Sequence, residues 1–365
     1  MSDVEALSHC MLIWRSFTHW IGGMGVLVFI LCLLPLTGGY HMNLMKAESP
    51  GPSVSKLVPK VQSTAKILYT IYIILTIVEI IFLLIGKMPL FDTLCLSFGT
   101  AGTGGFGIKN DSIASYSTYN QVVITVFMIL FGINFNAYYL LLTKKVMQAS
   151  KNEEVRYYLG IIGLAIVAIA INTREMFTSF GRAFQQAAFQ VGSIITTTGY
   201  ATTDFNVWPV FSKTILVILM FVGACAGSTG GGIKVSRLLI LCKSARKELQ
   251  LYLHPNAVKK IKMDDKAIPH EVVRATNMFL FVYIMIFVTS LLIISLDNLD
   301  MVSNFTAIAA TLNNIGPGLG AVGPTGNFNT YSYISKAVMI FDMLAGRLEV
   351  FPLLLLFKRD TWRKF

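Results

Sequence analysis

A helical unit that occurs three times is the feature that most constrains how this chain can fold. Each copy consists of an apolar helix, a short amphipathic helix, a turn rich in Thr and Gly, and a second apolar helix. The turns occupy residues 100–106, 196–200 and 313–318. They lie about a hundred residues apart, which is too far for a solenoid and suits a helix–loop–helix membrane unit. Polar, glycine-rich backbone between apolar spans is tolerated in a membrane only where it lines a protein-walled or watery path. The pattern therefore predicts an ion-conducting pore.

Seven apolar runs indicate that the chain spans a membrane repeatedly. Its 365 residues are 54% hydrophobic and 13% charged, whereas about a quarter of the residues in a soluble domain are charged. Most runs can cross roughly 30 Å of hydrocarbon when their flanks are included. No period-2 alternation is present, so the sequence predicts an all-α membrane protein with seven spans. The runs are 21–36, 67–85, 122–142, 159–171, 215–222 (which needs 235–242 to complete a crossing), 278–296 and 337–357.

The three units have similar boundaries. They are predicted at residues 64–145, 155–247 and 271–358, and a span at about 12–37 precedes them. Within each unit the short helix cannot cross a bilayer but has the length of a re-entrant helix. These short helices are predicted at 89–98, 180–194 and 302–312.

The distribution of basic residues predicts the orientation of the spans. The net charge is +11, and 22 of the 30 Lys and Arg residues lie in alternate loops. By the positive-inside rule these loops and the C-terminus are cytoplasmic. Topology thus explains the positive charge, and we expect no nucleic-acid partner. The basic loops are 37–66, 144–156, 234–274 and 358–365.

Ordinary cofactor and enzyme signatures are absent from the sequence. The five cysteines form no CxxC pair and the five histidines no HExxH motif, so neither a zinc site nor a disulfide framework is supported. No nucleophile–base constellation is evident. We expect no cofactor and no enzymatic activity, and we also expect no cleaved signal peptide. The cysteines are Cys10, Cys32, Cys95, Cys225 and Cys242.

The three turns carry groups suited to a permeating cation. Rings of backbone carbonyls can replace the hydration shell of the ion, and Thr hydroxyls can add a further layer. Lining carbonyls along an axis often needs glycine. Each short helix also directs its C-terminus, the negative end of its dipole, at the turn, which favours a cation over an anion. The predicted ion-binding residues are Thr103, Gly104, Thr198, Gly199, Ile315 and Gly316.

A glycine-rich segment, residues 223–234, interrupts the inner helix of the 155–247 unit. Each Gly costs about 1 kcal/mol relative to Ala in a helix interior, so the helix should unwind there. The segment resembles a phosphate loop but lacks the required Gly-Lys-Ser/Thr. We predict a flexible constriction that opens the pore, with Lys234 and Arg237 at the cytoplasmic exit. Its predicted functional residues are Gly223, Gly227, Ser228, Thr229, Gly230, Gly231, Gly232 and Lys234.

Arg347 is a charge near the middle of the last apolar run. It should face a partner or a watery cavity, because an unpaired charge there costs at least about 2.5–3.5 kcal/mol. One possibility is a structural ion pair with Asp342 or Glu349. The other places its guanidinium in the pore cavity, where it modulates cation flow.

Several motifs resemble the Trk/Ktr superfamily of potassium transporters, in particular its TrkH type. They are the segments 14–25 (WRSFTHWIGGMG), 103–106 (TGGF), 196–199 (TTTG), 227–234 (GSTGGGIK), 313–320 (NNIGPGLG) and 346–351 (GRLEVF). The resemblance implies a pseudo-fourfold pore with one filter glycine per unit, here Gly104, Gly199 and Gly316. It also implies K⁺ conduction, a gate at 223–234 and a cavity arginine at Arg347. The implied partners are a second copy of the chain, the lipid bilayer and a cytosolic nucleotide-binding regulator of the TrkA type. The implied location is the bacterial cytoplasmic membrane.

The resemblance also suggests that the first unit is incomplete. Segment 14–25 corresponds to the second helix of a first unit, so residues 1–40 form that helix and about three and a half of four units are present. We expect either a truncated product or a separate segment that completes the pore. Two alternatives stay open: a Na⁺-permeable or cation-symporting relative, and a non-conducting assembly subunit.

Overall fold

The computed structural model of the chain describes residues 3–25, 61–256 and 259–348, and these ranges are almost entirely helical. The only sheet within these ranges is an antiparallel hairpin of two strands of two residues each, β1 at Lys262–Met263 and β2 at Lys266–Ala267. The helices are α1 His9–Gly23, α2 Val61–Ile85, α3 Leu90–Ala101, α4 Thr118–Phe131, α5 Phe135–Leu142, α6 Val146–Ser150, α7 Glu153–Asn172, α8 Phe180–Ile195, α9 Val210–Val222, α10 Val235–Leu253, α11 His270–Ile294, α12 Met301–Leu312 and α13 Tyr333–Arg347. Short 3₁₀ turns lie at Arg174–Met176, Phe205–Val207, Ser295–Asp297, Gly320–Val322 and Phe328–Thr330.

Local capping explains where several helices begin. A Ser, Asn or Asp side chain accepts a hydrogen bond from the main-chain N–H three residues later and so satisfies an otherwise unpaired donor. Proline precedes α3, α9 and α11, where its fixed φ ends the preceding loop. The side-chain caps are Ser117 for α4, Asn152 for α7, Ser179 for α8, Asp300 for α12 and Ser332 for α13.

The described residues test only part of the seven predicted spans. In the described ranges three helices are long and apolar enough to cross a membrane: Thr64–Ile85, Glu153–Asn172 and His270–Asp297. The pair α4 and α5 adds a fourth if it counts as one bent span. The first and last predicted spans, 12–37 and 337–357, run partly outside the described residues.

The apolar run at 122–142 does not form one continuous helix, because α4 and α5 meet at a 90° bend. The helix stops at Gly132, and the side chain of Asn134 caps α5 by accepting a hydrogen bond from the N–H of Asn136 at 2.9 Å. The main-chain groups at the bend, which lack helical partners, form hydrogen bonds with the glycine-rich segment instead. The carbonyl of Gly132 accepts from the N–H of Cys225, and the N–H of Phe135 donates to the carbonyl of Gly227, both at 3.0 Å. Bonds between distant parts of the chain thus replace the helical ladder.

Beside a small cluster between α1 and α3, two large buried apolar clusters hold the helices together. One joins α2, α3, α4 and α5, and the other joins α7 through α13. Large apolar side chains on the spanning helices also face outward, for example Leu164 and Leu292, which are 76% and 68% exposed. An apolar exterior of this kind suits contact with lipid rather than water.

Candidate cation pathway

The three Thr/Gly turns end their short helices in the same way. In α3, α8 and α12 the residue after the C-cap has positive φ: Thr103 (52°), Thr197 (59°) and Asn314 (57°). The next N–H then donates to a carbonyl five residues back, which is the helix-ending Schellman motif. These bonds are Gly104 to Gly99 at 2.9 Å, Thr198 to Ser193 at 2.9 Å and Ile315 to Ala310 at 2.8 Å. The three turns therefore have one backbone register.

This register pairs Gly105, rather than the predicted Gly104, with the glycines of the other two turns. Gly104 is equivalent to Thr198 and Ile315, whereas Gly105 is equivalent to Gly199 and Gly316. The three glycines share positive φ, with values of 61°, 86° and 108° for Gly105, Gly199 and Gly316. The sequence held a signal for this, because an aromatic residue follows both Gly105 and Gly199, namely Phe106 and Tyr200.

Successive turns contact one another through main chain. A Cβ atom placed on Gly105 would lie 2.0 Å from the carbonyl oxygen of Thr198, and one on Gly199 would lie 2.0 Å from that of Ile315. Only glycine permits these approaches. A Cβ on Gly316 would meet no described atom within 4 Å. The same contact thus links the first turn to the second and the second to the third.

The polar side chains of the turns are buried and bonded. Thr103 is 4% exposed, and its hydroxyl donates to the carbonyls of Gly102 and Thr229, both at 2.8 Å. The hydroxyl of Thr198 lies 2.8 Å from that of Thr196. Ile315 is 2% exposed and packs in the larger apolar cluster. Buried side chains therefore hold the turns in place through hydrogen bonds and apolar packing.

The glycine-rich segment, which we name the gate loop (residues 223–234), does separate α9 from α10 and lies against all three turns. The N–H of Gly231 donates to the Thr197 hydroxyl at 2.6 Å. A Cβ on Gly231 would lie 2.6 Å from the carbonyl oxygen of Asn313. The carbonyl of Thr229 accepts from Thr103, as described above. The gate loop therefore contacts the end of each short helix.

The gate loop is also tied to neighbouring helices. The hydroxyl of Thr229 donates to the carbonyl of Phe131 at 3.2 Å, and that of Ser228 donates to the carbonyl of Cys225 at 2.6 Å. One residue that sequence reasoning missed is Glu154, whose side chain bonds the loop from the first turn of α7. In the sequence it is indistinguishable from an acid that complements a helix N-terminus.

Lys234, predicted at the cytoplasmic exit, is buried within the protein. It is only 1% exposed, and its ammonium group donates to the carbonyl of Gly230 within the gate loop. Its φ of 74° turns the chain into α10. Arg237, also predicted at the exit, is 7% exposed and stacks 3.9 Å above the ring centre of Phe279. Both side chains are thus part of the packed protein.

Arg347 reaches the gate loop at the end of α13. Its guanidinium donates to the carbonyl of Thr229 at 3.0 Å and to those of Gly22 and Gly23 at 2.8 and 3.1 Å. Asp342, one of the two pairing candidates, accepts a hydrogen bond from the hydroxyl of Ser290 at 2.8 Å. Glu349 lies outside the described residues. Arg347 therefore joins the gate loop to the end of α1.

Main-chain oxygens are the cation ligands that this region offers. Among the described residues, no group of three or more His, Cys, Asp or Glu side chains could hold a metal ion. The C-termini of α3, α8 and α12 meet at the turns, and their dipoles make the local potential negative. Such an arrangement suits weak, exchangeable binding of a cation.

Comparison with known proteins identifies the family of this chain. The family model TrkH, described as a cation transport protein, matches residues 1–363. The chain is similar to the Trk system potassium uptake protein TrkH of Vibrio parahaemolyticus, with 38% identity over 99% of this chain and 75% of the relative. It is also similar to TrkH of Salmonella typhimurium, with 36% identity over the same shares, and to TrkG of Escherichia coli, with 32% identity over 100% of this chain and 75% of the relative.

A solved structure extends the comparison to the fold. The crystal structure of the potassium transporter TrkH from Vibrio parahaemolyticus aligns with a TM-score of 0.84 and 34% identity, covering 99% of this chain and 75% of that one. Fold and site therefore define a helical membrane transport protein rather than an enzyme. The chain belongs to the TrkH family of cation transport proteins, which confirms the resemblance found in its motifs.

Proposed function

We propose that this chain is the pore-forming subunit of a Trk-type potassium uptake system in the bacterial cytoplasmic membrane. The observation that carries the proposal is the repeated close contact between turns, from Gly105 to the Thr198 carbonyl and from Gly199 to the Ile315 carbonyl. The similar proteins are named potassium uptake proteins, which supports potassium as the ion.

The proposed filter consists of main-chain carbonyls from equivalent positions in each turn. A K⁺ ion exchanges hydration water for these oxygens and then leaves, because among the described residues no cluster of acidic side chains holds it. The Schellman bonds leave the carbonyls that follow them free of the helix ladder, so they can serve as ligands. The filter residues are the pairs 104–105, 198–199 and 315–316, with the hydroxyl of Thr103 supporting the first pair.

The gate loop and Arg347 form the proposed control element beneath the filter. Its glycines allow the tight contacts with the turns, and its bonds to Thr103, Thr197 and Arg347 hold it there. Motion of the loop away from the turns would open the path. The positive charge of Arg347 would then lie beside the passing cations and reduce their residence time.

The finer architecture follows from the repeated units. We propose a pseudo-fourfold arrangement in which 64–145, 155–247 and 271–358 are consecutive units and residues 1–40 belong to a first one. The basic loops and the C-terminus face the cytoplasm. The active assembly is a homodimer bound to a TrkA-type nucleotide-binding regulator.

The test is uptake of K⁺ or Rb⁺ by bacteria that lack their own K⁺ import systems. The chain should be tested with and without a leading segment that supplies the rest of the first unit. With that segment it should restore uptake and growth at low external K⁺, and excess Na⁺ should compete poorly. Strong competition by Na⁺ would instead favour a Na⁺-permeable relative. Normal membrane insertion without any uptake would contradict the proposal and favour a non-conducting assembly role.

A further inference from the structure

One carboxylate holds both ends of the gate loop. Glu154 is 2% exposed, and its Oε1 accepts hydrogen bonds from the N–H of Ala226 at 2.6 Å and the N–H of Ser236 at 3.1 Å. Its Oε2 accepts from the amide of Asn134, at the bend between α4 and α5, at 3.3 Å. Three elements distant in sequence thus meet at this side chain.

The two main-chain donors define what this contact does. Ala226 lies near the beginning of the gate loop, and Ser236 lies in the first turn of α10, just beyond its end. Because a single oxygen receives both N–H groups, it fixes the distance between the two ends of the loop and fixes both ends relative to α7. Charge-assisted hydrogen bonds of this kind are roughly twice as strong as neutral ones.

The adjacent acid, Glu153, makes different contacts and therefore serves as a matched control for Glu154. Glu153 lies on the same helical turn, is partly exposed and forms an ion pair with Lys243 of α10. Its main-chain N–H is capped by Asp264 of the hairpin at 2.8 Å. Removal of either charge affects the end of α7, but only Glu154 contacts the gate loop.

We propose that Glu154 is a positioning residue that keeps the gate loop against the filter turns, and that the loop leaves them only when its bonds to Glu154 break. This proposal rests on the proposed function in one respect, which is that the loop acts as the gate. Without this carboxylate, the N–H groups of Ala226 and Ser236 are buried and unpaired. Movement of the loop toward water then becomes more favourable.

A native thiol reports on this movement. Cys225 lies beside Ala226 in the gate loop and is fully buried, while Cys95 is fully buried in α3. A protein with Ser in place of Cys10, Cys32 and Cys242 keeps these two thiols. Their modification rates by a small methanethiosulfonate reagent, resolved by peptide mass spectrometry in intact membranes, separate local opening of the gate loop from general loosening.

We expect Glu154→Ala to accelerate modification of Cys225 about tenfold or more, since bonds to a charged group are lost. Glu154→Gln should give a smaller increase, because the amide oxygen can still accept from both N–H groups. Glu153→Gln should leave the rate at Cys225 unchanged, and Cys95 should react equally slowly in all variants.

Unchanged reactivity of Cys225 in both Glu154 variants would overturn the proposal. An equal increase at Cys95 would also overturn it, because the residue would then only support the fold. If Glu154→Ala fails to reach the membrane, the rate in Glu154→Gln decides. The thiol measurement does not depend on ion flux, so failure of K⁺ uptake by the unaltered chain is detected separately.

Discussion

The filter turns and the gate loop are both rich in glycine, but different bonds hold them in place. Each turn is fixed by N–H groups that bond the last carbonyls of its own short helix. The gate loop is held largely by groups from other elements, among them Gly132, Glu154 and Arg347. A locally closed turn keeps its shape when its neighbours move, whereas a loop held by its neighbours can be released by them. The contrast gives a physical basis for a fixed filter above a movable gate.

The largest expected effect is on the fixed region. Gly199→Ala places a Cβ 2.0 Å from the Ile315 carbonyl oxygen at a φ of +86°, so the contact between the second and third turns must break. We expect K⁺ uptake to fall by at least about tenfold, corresponding to strain of 1–3 kcal/mol. Gly160→Ala is the control, because a Cβ on Gly160 would meet nothing within 4 Å. Equal uptake by the two variants would show that the turns tolerate displacement.

A smaller effect with the opposite sign is expected at the gate loop. Arg347→Ala removes the donor to the Thr229 carbonyl and a positive charge beside the path. Both changes favour opening, so Rb⁺ flux in proteoliposomes should rise several-fold. Selectivity between K⁺ and Na⁺ should stay the same because the turns are intact. Unaltered flux in a normally folded variant would exclude a role for Arg347 in conduction.

Thr197→Val tests the link between the two regions. The substitution keeps the size of the side chain but leaves the N–H of Gly231 without the acceptor it has at 2.6 Å. A buried donor without a partner costs about 1–3 kcal/mol, so the gate loop should detach while the turn keeps its Schellman bonds. Cys225 should become more reactive than in the unaltered protein, with little change in ion selectivity. A large loss of selectivity would mean that the turn depends on the loop after all.

The smallest expected effect concerns the helix that carries the third turn. Asp300 caps α12, and hydrogen bonds from Ser303 lower the pKa of its carboxyl below the ordinary value of 3.8. The cap therefore contributes fully above that value, and its contribution is lost as the pH falls through the lower pKa of the folded state. Asp300→Ala should cost about 1 kcal/mol at neutral pH. Thermal unfolding in detergent should show that the difference between the two proteins shrinks in acid; a constant difference would contradict the assignment.

Much of the difference between the filter turns and the gate loop could be predicted from the sequence, because it depends on local patterns. The apolar runs and the Thr/Gly turns located the three short helices, and the run of glycines at 230–232 located the break between α9 and α10. These patterns did not predict which glycine of the first turn is equivalent to Gly199 and Gly316. Gly102, Gly104 and Gly105 can all adopt positive φ, and the aromatic residue after Gly105 is the one local signal that the sequence offers. Contact with Thr198 of the second turn then distinguishes Gly105 in the structure.

The remaining features depend on contacts between distant segments. The bend after Phe131 needs hydrogen bonds from Cys225 and to Gly227, which replace those of a continuous helix. Glu154 has no local signature beyond that of an acid at a helix N-terminus. The burial of Lys234 could not be predicted either, because its hydrogen bond to the Gly230 carbonyl depends on the path of the whole loop. Periodicity and composition do not contain this information.

Crystallographic localisation of Rb⁺ by anomalous scattering tests the central claim most directly. The account predicts a Rb⁺ peak in direct contact with main-chain oxygens from all three turns, at residues 104–105, 198–199 and 315–316. The peak should weaken when K⁺ replaces Rb⁺ in the crystal. Rb⁺ bound elsewhere, with none of these oxygens as a ligand, would contradict it.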